Sequence, residues 1–316
     1  MDNLTHTLTG LALSRAGLDR FYGRSALVLT IAANIPDIDI VSGLAGSTAY
    51  LQYHRGLTHS LAFLPVMAIL PVLIVWAVAR SRAGLLGAYL ISMVGVASHL
   101  AIDWTNSYAV RLLLPFSGEW LHGDITGVVD IWILGVLLLM ALGPLLGKLV
   151  NSEIGAKPTR GRGLAIFALS FFLVYDFGRY LLHERALAVL NARIYEGAAP
   201  QRLAAFPGIV NPLRWAGWVD TPHAAIHFDM NLAADFDPTS GTKIYKADPH
   251  PAMQAASQTE AFRVFSNFAI YPLWSVSPTD EPEGGTRVDL HDERFGFTAT
   301  AIVDRANRVL RSSLHM

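Results

Sequence analysis

The chain has 316 residues, 52% of them hydrophobic and only 16% charged, with a formal net charge of −1. An ordinary soluble domain carries about 25% charged residues, so lipid contact is expected, and a pI near 6.8 leaves no basic footprint for nucleic acid. Cysteine is absent, which excludes disulfide frameworks and thiolate metal sites.

The N-terminus, MDNLTHTLTGLALSRAG, lacks a basic n-region and has polar residues where the apolar core of a signal peptide belongs. Insertion is therefore expected from internal segments. Leu4–Ala16 and Ser25–Ile35 read as two short helices joined by the basic turn SRAGLDRFYGR. Each would be about 16–20 Å long, too short to cross alone, and the two are expected to form a re-entrant hairpin or a pair partly embedded beside the spans. Ser60–Ala79, Gly84–Ile102 and Ile131–Gly147 each approach the roughly 20 apolar residues a spanning helix needs. Gly163–Tyr175 then meets Asp176 and Arg179 and is expected to run on through LLHERALAVL as a fourth span. Pro65, Pro71 and Pro144 predict kinks. Arg80 and Arg82, then Lys148, Lys157, Arg160 and Arg162, fall in short connections, and Arg15, Arg20 and Arg24 fall at the hairpin turn. All are expected on the cytoplasmic side. His59, Asp103, the 105–130 loop and everything after residue 185 then lie on the outer face. From Pro200 onward, alternating and aromatic-rich runs are separated by PTSGT, SPTDEPEGG and DRANR, which are strand and turn signals. The predicted fold is an α-helical membrane domain over residues 1–190, with about four spanning helices plus a short N-terminal helical hairpin. A small, mostly-β extramembrane domain follows over residues 200–316.

Ionisable residues gather at the expected outer end in five places. These are His6; Asp37 and Asp39 in NIPDID; His54 and His59 in HRGLTHS; His99 and Asp103 in HLAIDW; and Asp124 and Asp130 in HGDITGVVD. Placing such groups near lipid is costly unless they pair or bind a cation, and imidazole with carboxylate is a ligand set for zinc and related ions. His99 and Asp103, four apart, face the same way on a helix. Asp37 and Asp39 follow Pro36, which ends a helix, and are expected in an extended stretch or turn; an ordinary turn or N-cap role is the competing reading. His54 and His59 are five apart, so Arg55–Thr58 is expected to turn into the first span, with an interfacial histidine and a snorkelling arginine as the alternative. Asp124 and Asp130 read equally as loop solvation or as an N-cap for the third span. Trp215, Trp218 and Trp274 read as core of the β domain or as headgroup contacts, and His223, His227, His250 and His291 show no site spacing.

THTLTG, PDID, HRGLTHS, HLAIDWTNSY and GDITGVVD resemble the motifs of the YdjM-like family of membrane-bound metal-dependent hydrolases, also described as LexA-regulated inner-membrane hydrolases. The resemblance covers residues 1–185, and NPLRW and VDLHDERFGF resemble the outer domain attached in many members. The motif order is also similar to that of zinc-dependent phospholipase C and related nucleases. There an early histidine, an aspartate, a further histidine and a helical His-x-x-x-Asp pair surround clustered zinc ions. Here His6, Asp37 or Asp39, His59, His99 and Asp103 fall in that order. The later His-x-x-x-Glu pair of those enzymes is missing, and Asp124 or Asp130 is the substitute on offer.

The expectation is a metal-dependent hydrolase of a bacterial inner membrane, with its site and C-terminal domain on the outer, periplasmic side. It would hold a divalent metal, zinc first, as two or more ions, and cleave a phosphoester in a phospholipid or other lipid-linked, amphiphilic substrate. His6, Asp37, Asp39, His59, His99 and Asp103 are the metal ligands, with Asp124, Asp130 and His54 as further candidates. His54 is otherwise a proton shuttle, Arg55 neutralises phosphate through charge-assisted hydrogen bonds, and Asp39 is a carboxylate available as base. The alternatives are an amide or ester hydrolase and a non-enzymatic transporter or metal-binding scaffold. A transporter would place its polar groups near mid-membrane, and these lie at span ends. Gly-x-Ser-x-Gly and His-Glu-x-x-His are absent.

Overall fold

A computed structural model of the chain describes residues 1–80, 84–154 and 161–316. The first half is helical: α1 (Asn3–Ala16), α2 (Ser25–Ala32), α3 (Ser47–Tyr53), α4 (Leu64–Met67), α5 (Ile69–Ala79), α6 (Leu85–Thr105), α7 (Ile131–Ile154) and α8 (Arg162–Asn191). Three 3-10 stretches, Leu18–Arg20, Ile35–Ala45 and Leu57–His59, lie between them.

Local sequence explains α1 well. Asp2 caps it, accepting from the Thr5 amide at 3.0 Å and the Thr5 hydroxyl at 2.6 Å, and Gly17 ends it at φ 138°. On α6 the buried positions Ala88, Ile91, Ser92, Gly95, Val96, His99, Leu100, Ile102 and Asp103 recur at three- and four-residue spacing, so one stripe faces inward. The same stripe that packs the helix carries His99 and Asp103 into the interior.

α6 and α8 are each long and apolar enough to cross a membrane; α6 measures about 31 Å at 1.5 Å per residue. Two bent pairs, Ser25–Ala32 with Ile35–Ala45 and Ser47–His59 with Leu64–Val78, raise the count to four if each is one span. α7 is apolar through Leu145. The predicted span Ser60–Ala79 is not one helix: Ser60–Phe63 turns, and α4 and α5 meet at Ala68. Pro71 accounts for that break, because it has no N–H for the Met67 carbonyl one turn earlier. Asp37 and Asp39 sit in the 3-10 stretch rather than in extended chain. Of the basic residues used for orientation, Arg82, Lys157 and Arg160 lie outside the described residues. Arg15 donates to the Met140 carbonyl at 3.0 Å, and Arg162 to the Ala16 carbonyl at 3.2 Å, tying α1 to α7 and α8 at that end.

Close approach holds α2 against its neighbours. A Cβ on Gly10 would fall 2.5 Å from the Leu29 carbonyl oxygen, and one on Gly95 would fall 2.7 Å from Ala32 Cβ. Small residues at such crossings let backbones meet where lipid offers no hydrophobic drive. Leu8 and Ala12 of α1, Ile133, Leu137 and Met140 of α7, and Ala165, Ala168 and Phe172 of α8 form one apolar core.

The second half holds two four-stranded sheets, β1 (Arg202–Pro207), β2 (Arg214–Asp220), β3 (Ala224–Asn231) and β4 (Thr242–Tyr245), then β5 (Pro272–Thr279), β6 (Gly285–Asp292), β7 (Thr298–Val303) and β8 (Val309–His315), each ordered as in sequence. Between them come α9 (Pro251–Ser257) and α10 (Glu260–Phe268). Phe262, Phe265 and Phe268 of α10 are buried, as are Trp215 and Trp218, and Trp274 stacks on Phe262 with ring centroids 5.5 Å apart. Trp215 and Trp218 are domain core, and Trp274 is half-buried beside them.

The contacts divide the chain into two compact units. One comprises Met1–Asp39, Arg55–Glu184 and Phe206–Arg214; the other comprises Ile40–His54, Arg185–Ala205 and Trp215–Met316. The segment Ile40–His54 is thus grouped with the β domain, where α3 packs on α10 and β8.

Candidate metal centre

Asp37, His59, His99 and Asp103 come from three separate parts of the first unit. Each offers one ligand atom, and those atoms lie within 4.8 Å of one another. His99 Nε2 is 3.1 Å from His59 Nε2, 3.6 Å from Asp37 Oδ1 and 3.4 Å from Asp103 Oδ2. His59 Nε2 is 3.3 Å from Asp37 Oδ1 and 3.6 Å from Asp103 Oδ2. His59, His99 and Asp103 are fully buried, and Asp37 keeps 13% of its side chain exposed.

The other ring nitrogens decide what these four atoms are. His99 Nδ1 lies 2.7 Å from the Ala33 carbonyl, which can only accept, so Nδ1 carries a proton and Nε2 is the nitrogen turned toward the cage. His59 Nδ1 lies 3.0 Å from Asp39 Oδ2, and the same assignment follows. Two imidazole Nε2 atoms and two carboxylate oxygens then face one another in a buried space, a set that could hold a cation. Asp103 Oδ2 has no hydrogen-bond partner of its own. Bonds of about 2.0–2.2 Å to a tetrahedral ion set neighbouring ligand atoms roughly 3.3–3.6 Å apart, and the five distances above fall close to that spacing. The residues fit a divalent metal of the zinc class.

Around the cage lies a layer of orienting contacts. Asp39 Oδ2 also accepts from the Arg55 amide at 2.9 Å and the Thr58 hydroxyl at 2.6 Å. Asp103 splits its two oxygens: Oδ2 faces the cage, whereas Oδ1 meets Arg55 Nη2 at 3.1 Å, His6 Nε2 at 3.3 Å and the α-amino group of Met1. The His6 ring stacks on His99 at 3.9 Å. Arg55 has φ 53°, and its Nη1 donates to Asn106 Oδ1 at 3.3 Å and to the Ala109 carbonyl at 3.2 Å. Its guanidinium lies 4.6 Å from the centroid of the Tyr108 ring.

Asp37, His59, His99 and Asp103 of the sequence candidates thus converge, with His6, Asp39 and Arg55 set against them from outside. Among the described residues, neither Asp124 nor Asp130 shares a metal-sized group with others. Asp124 pairs with His122 at 2.8 Å. Asp130 caps α7, accepting from the amides of Trp132 at 3.0 Å and Ile133 at 3.2 Å, and also takes the Tyr175 hydroxyl at 3.0 Å. His54 follows α3 and stacks on Tyr50 at 4.5 Å. Arg179 is held by the Ile125 and Pro212 carbonyls, at 2.9 and 2.8 Å. Sequence reasoning passed over Thr58 and Asn106, although both lie inside quoted motifs. It had no means of finding the Ala33 carbonyl, which acts through the main chain.

A buried histidine–aspartate cage at the end of an apolar helix defines a membrane protein with a possible metal site. The family model described as YdjM inner membrane protein matches residues 1–185, more than half of the chain, and the chain belongs to that family. Uncharacterized protein YfhP of Bacillus subtilis (strain 168) is 30% identical over 139 residues, which are 41% of this chain and 42% of that protein. The match spans less than half the length of that curated relative. No solved structure matches the chain.

Proposed function

We propose that this protein is a membrane-bound, metal-dependent hydrolase that cleaves a phosphoester of an amphiphile at the outer face of the membrane. The observation that carries the reading is the set of four converging acceptor atoms at tetrahedral spacing. Asp37, His59, His99 and Asp103 would hold the ion. Bound there, a zinc-class ion supplies Lewis acidity toward a phosphoryl or carbonyl oxygen. The chain's own residues supply the geometry: Asp39 and the Ala33 carbonyl fix the two imidazoles, and Arg55 with His6 turns Asp103 toward the cage. Asp37 is the most open of the four, and a headgroup would reach the ion past it while the tails stay in lipid. The outer-face assignment rests on the basic residues at the opposite end.

Metal analysis of detergent-purified protein, with and without His99→Ala, is the direct test. A stoichiometric divalent metal in the parent and its loss in the variant are expected, and the metal-to-protein ratio decides between one ion and two. Equal metal in both proteins would sink the reading. Metal-dependent turnover of a phospholipid against an acyl ester then separates phosphoester from ester chemistry.

A further inference from the structure

In the second unit, β4 and β5 are each the last strand of a sheet. β4 pairs with β3 and β5 with β6, and among the described residues no strand pairs with the far side of either. A cavity of about 550 Å³ lies against both. Side chains alternate between the two faces of a strand, so a cavity on one face would touch every second residue. This one is lined by the consecutive residues Leu273, Trp274, Ser275 and Val276 of β5 and by the neighbours Ile244 and Tyr245 of β4. It therefore runs along the edges of the two strands and forms a slot between them. His227 of β3 lies 2.7 Å from Glu293, just past β6, and joins the two sheets beside it.

An edge strand turns a row of main-chain N–H and C=O groups away from its sheet, and folded proteins blunt such edges with proline or lysine. On β5 the prolines stand at Pro272 and Pro278, which leaves Leu273–Ser277 open to pairing between them. All of β4 is exposed, and Tyr245 beside the cavity is 67% exposed. A strand rises about 3.3 Å per residue, sits about 4.8 Å from its neighbour and belongs to a layer about 10 Å deep, so each residue fills roughly 160 Å³. The slot therefore takes about three to four residues of extended chain, which fits within the stretch the prolines leave open. Its two sides differ in character. Trp274, stacked on Phe262 of α10, and Val276 lie on one side. Ser275, whose hydroxyl is 3.5 Å from His291 Nε2, lies on the other.

We propose that this slot is a recognition site for an extended peptide segment of another protein, one with apolar and hydroxyl-bearing residues in alternation, which enters as a strand between β4 and β5. Its main chain pairs with both open edges at once. One row of its side chains packs toward Trp274 and Val276, and the other meets Ser275 and His291. The site is separate from the cage and calls for no metal.

Fluorescence anisotropy with the full-length, detergent-purified protein tests it, using the fluorescein-labelled peptide Lys-Thr-Val-Thr-Val-Thr-Lys and the same peptide N-methylated at both valines. The parent peptide should bind, and methylation, which removes two main-chain donors, should weaken it by about tenfold or more. Ile244→Lys and Tyr245→Ala replace exposed side chains, so the fold is retained, and each should weaken the parent peptide. Hydrogen exchange should slow on binding at Lys243–Tyr245 and Leu273–Ser277, which locates the peptide between the two edges. No binding of the parent peptide would overturn the proposal, as would equal binding of the methylated one or protection confined to other segments. Self-association of the protein that Ile244→Lys abolishes would overturn it too, because the occupant would then be a second copy of this chain.

Discussion

His99 meets its surroundings through both ring nitrogens, and the Nδ1 bond to the Ala33 carbonyl determines which nitrogen is left to coordinate. His59 is set in the same way by a carboxylate, Asp39, which is the easier partner to remove. Asp39→Ala should lower metal affinity by about 10–100-fold without emptying the cage, read by competition with a chromophoric chelator. His99→Ala should abolish binding outright. At this scale the sequence was informative wherever the chemistry sits on a side chain with regular spacing. The four-residue step from His99 to Asp103 required a shared face, and PDID and HRGLTHS each contain one member of the converging four, Asp37 and His59. Which members of those stretches enter the cage was not legible. Arg55 turns toward Asp103 through a positive φ, and Asp39 turns toward the outer nitrogen of His59, neither of which follows from spacing.

Among the elements, α2 matters most, because it lies against both α1 and α6 and leads directly into Asp37. Its seat depends on the missing side chains of Gly10 and Gly95. Gly10→Val should force α1 and α2 apart and cost the protein its bound metal, whereas Gly23→Ala, where nothing lies within 4 Å, should leave the metal content unchanged. Asp130→Ala removes the cap of α7 together with the Tyr175 contact. A loss of about 1 kcal/mol or somewhat more is expected, visible as a lower Tm with metal still bound. The extent of α1, expected over Leu4–Ala16 and found over Asn3–Ala16, and the long apolar run of α6 were plain in the sequence. The division of Ser60–Ala79 was less so, since membrane helices often carry proline unbroken and only the packed surroundings decide.

For the molecule as a whole, the β domain has an acid-sensitive point at Asp289. Burial by itself would push the Asp289 carboxyl up, but hydrogen bonds from Arg287, at 2.7 and 3.1 Å, and from Thr300, at 2.6 Å, hold it below its ordinary value. A carboxyl depressed on folding contributes stability above its unfolded pKa of about 3.9, and that contribution is lost as pH falls through the folded value. Asp289→Asn should therefore flatten the fall in Tm of this domain between pH 5 and pH 3, a range set on the order of the unfolded carboxylate pKa, followed by tryptophan fluorescence. The two-part composition of the chain was readable from the change near residue 200. The membership of Ile40–His54 in the second unit was not, because no pattern within fifteen residues names a partner two hundred residues away. That membership also bears on the order of synthesis. α3 leaves the ribosome long before Glu260–Phe268 of α10 exists, so the stretch bracketed by Asp39 and Arg55 waits for its packing partner until most of the chain has been made. A nascent chain halted after α8 would be membrane-inserted and carry every cage residue, yet leave Leu51 uncovered. The cover over Leu51 would then be completed only once the last domain has been made.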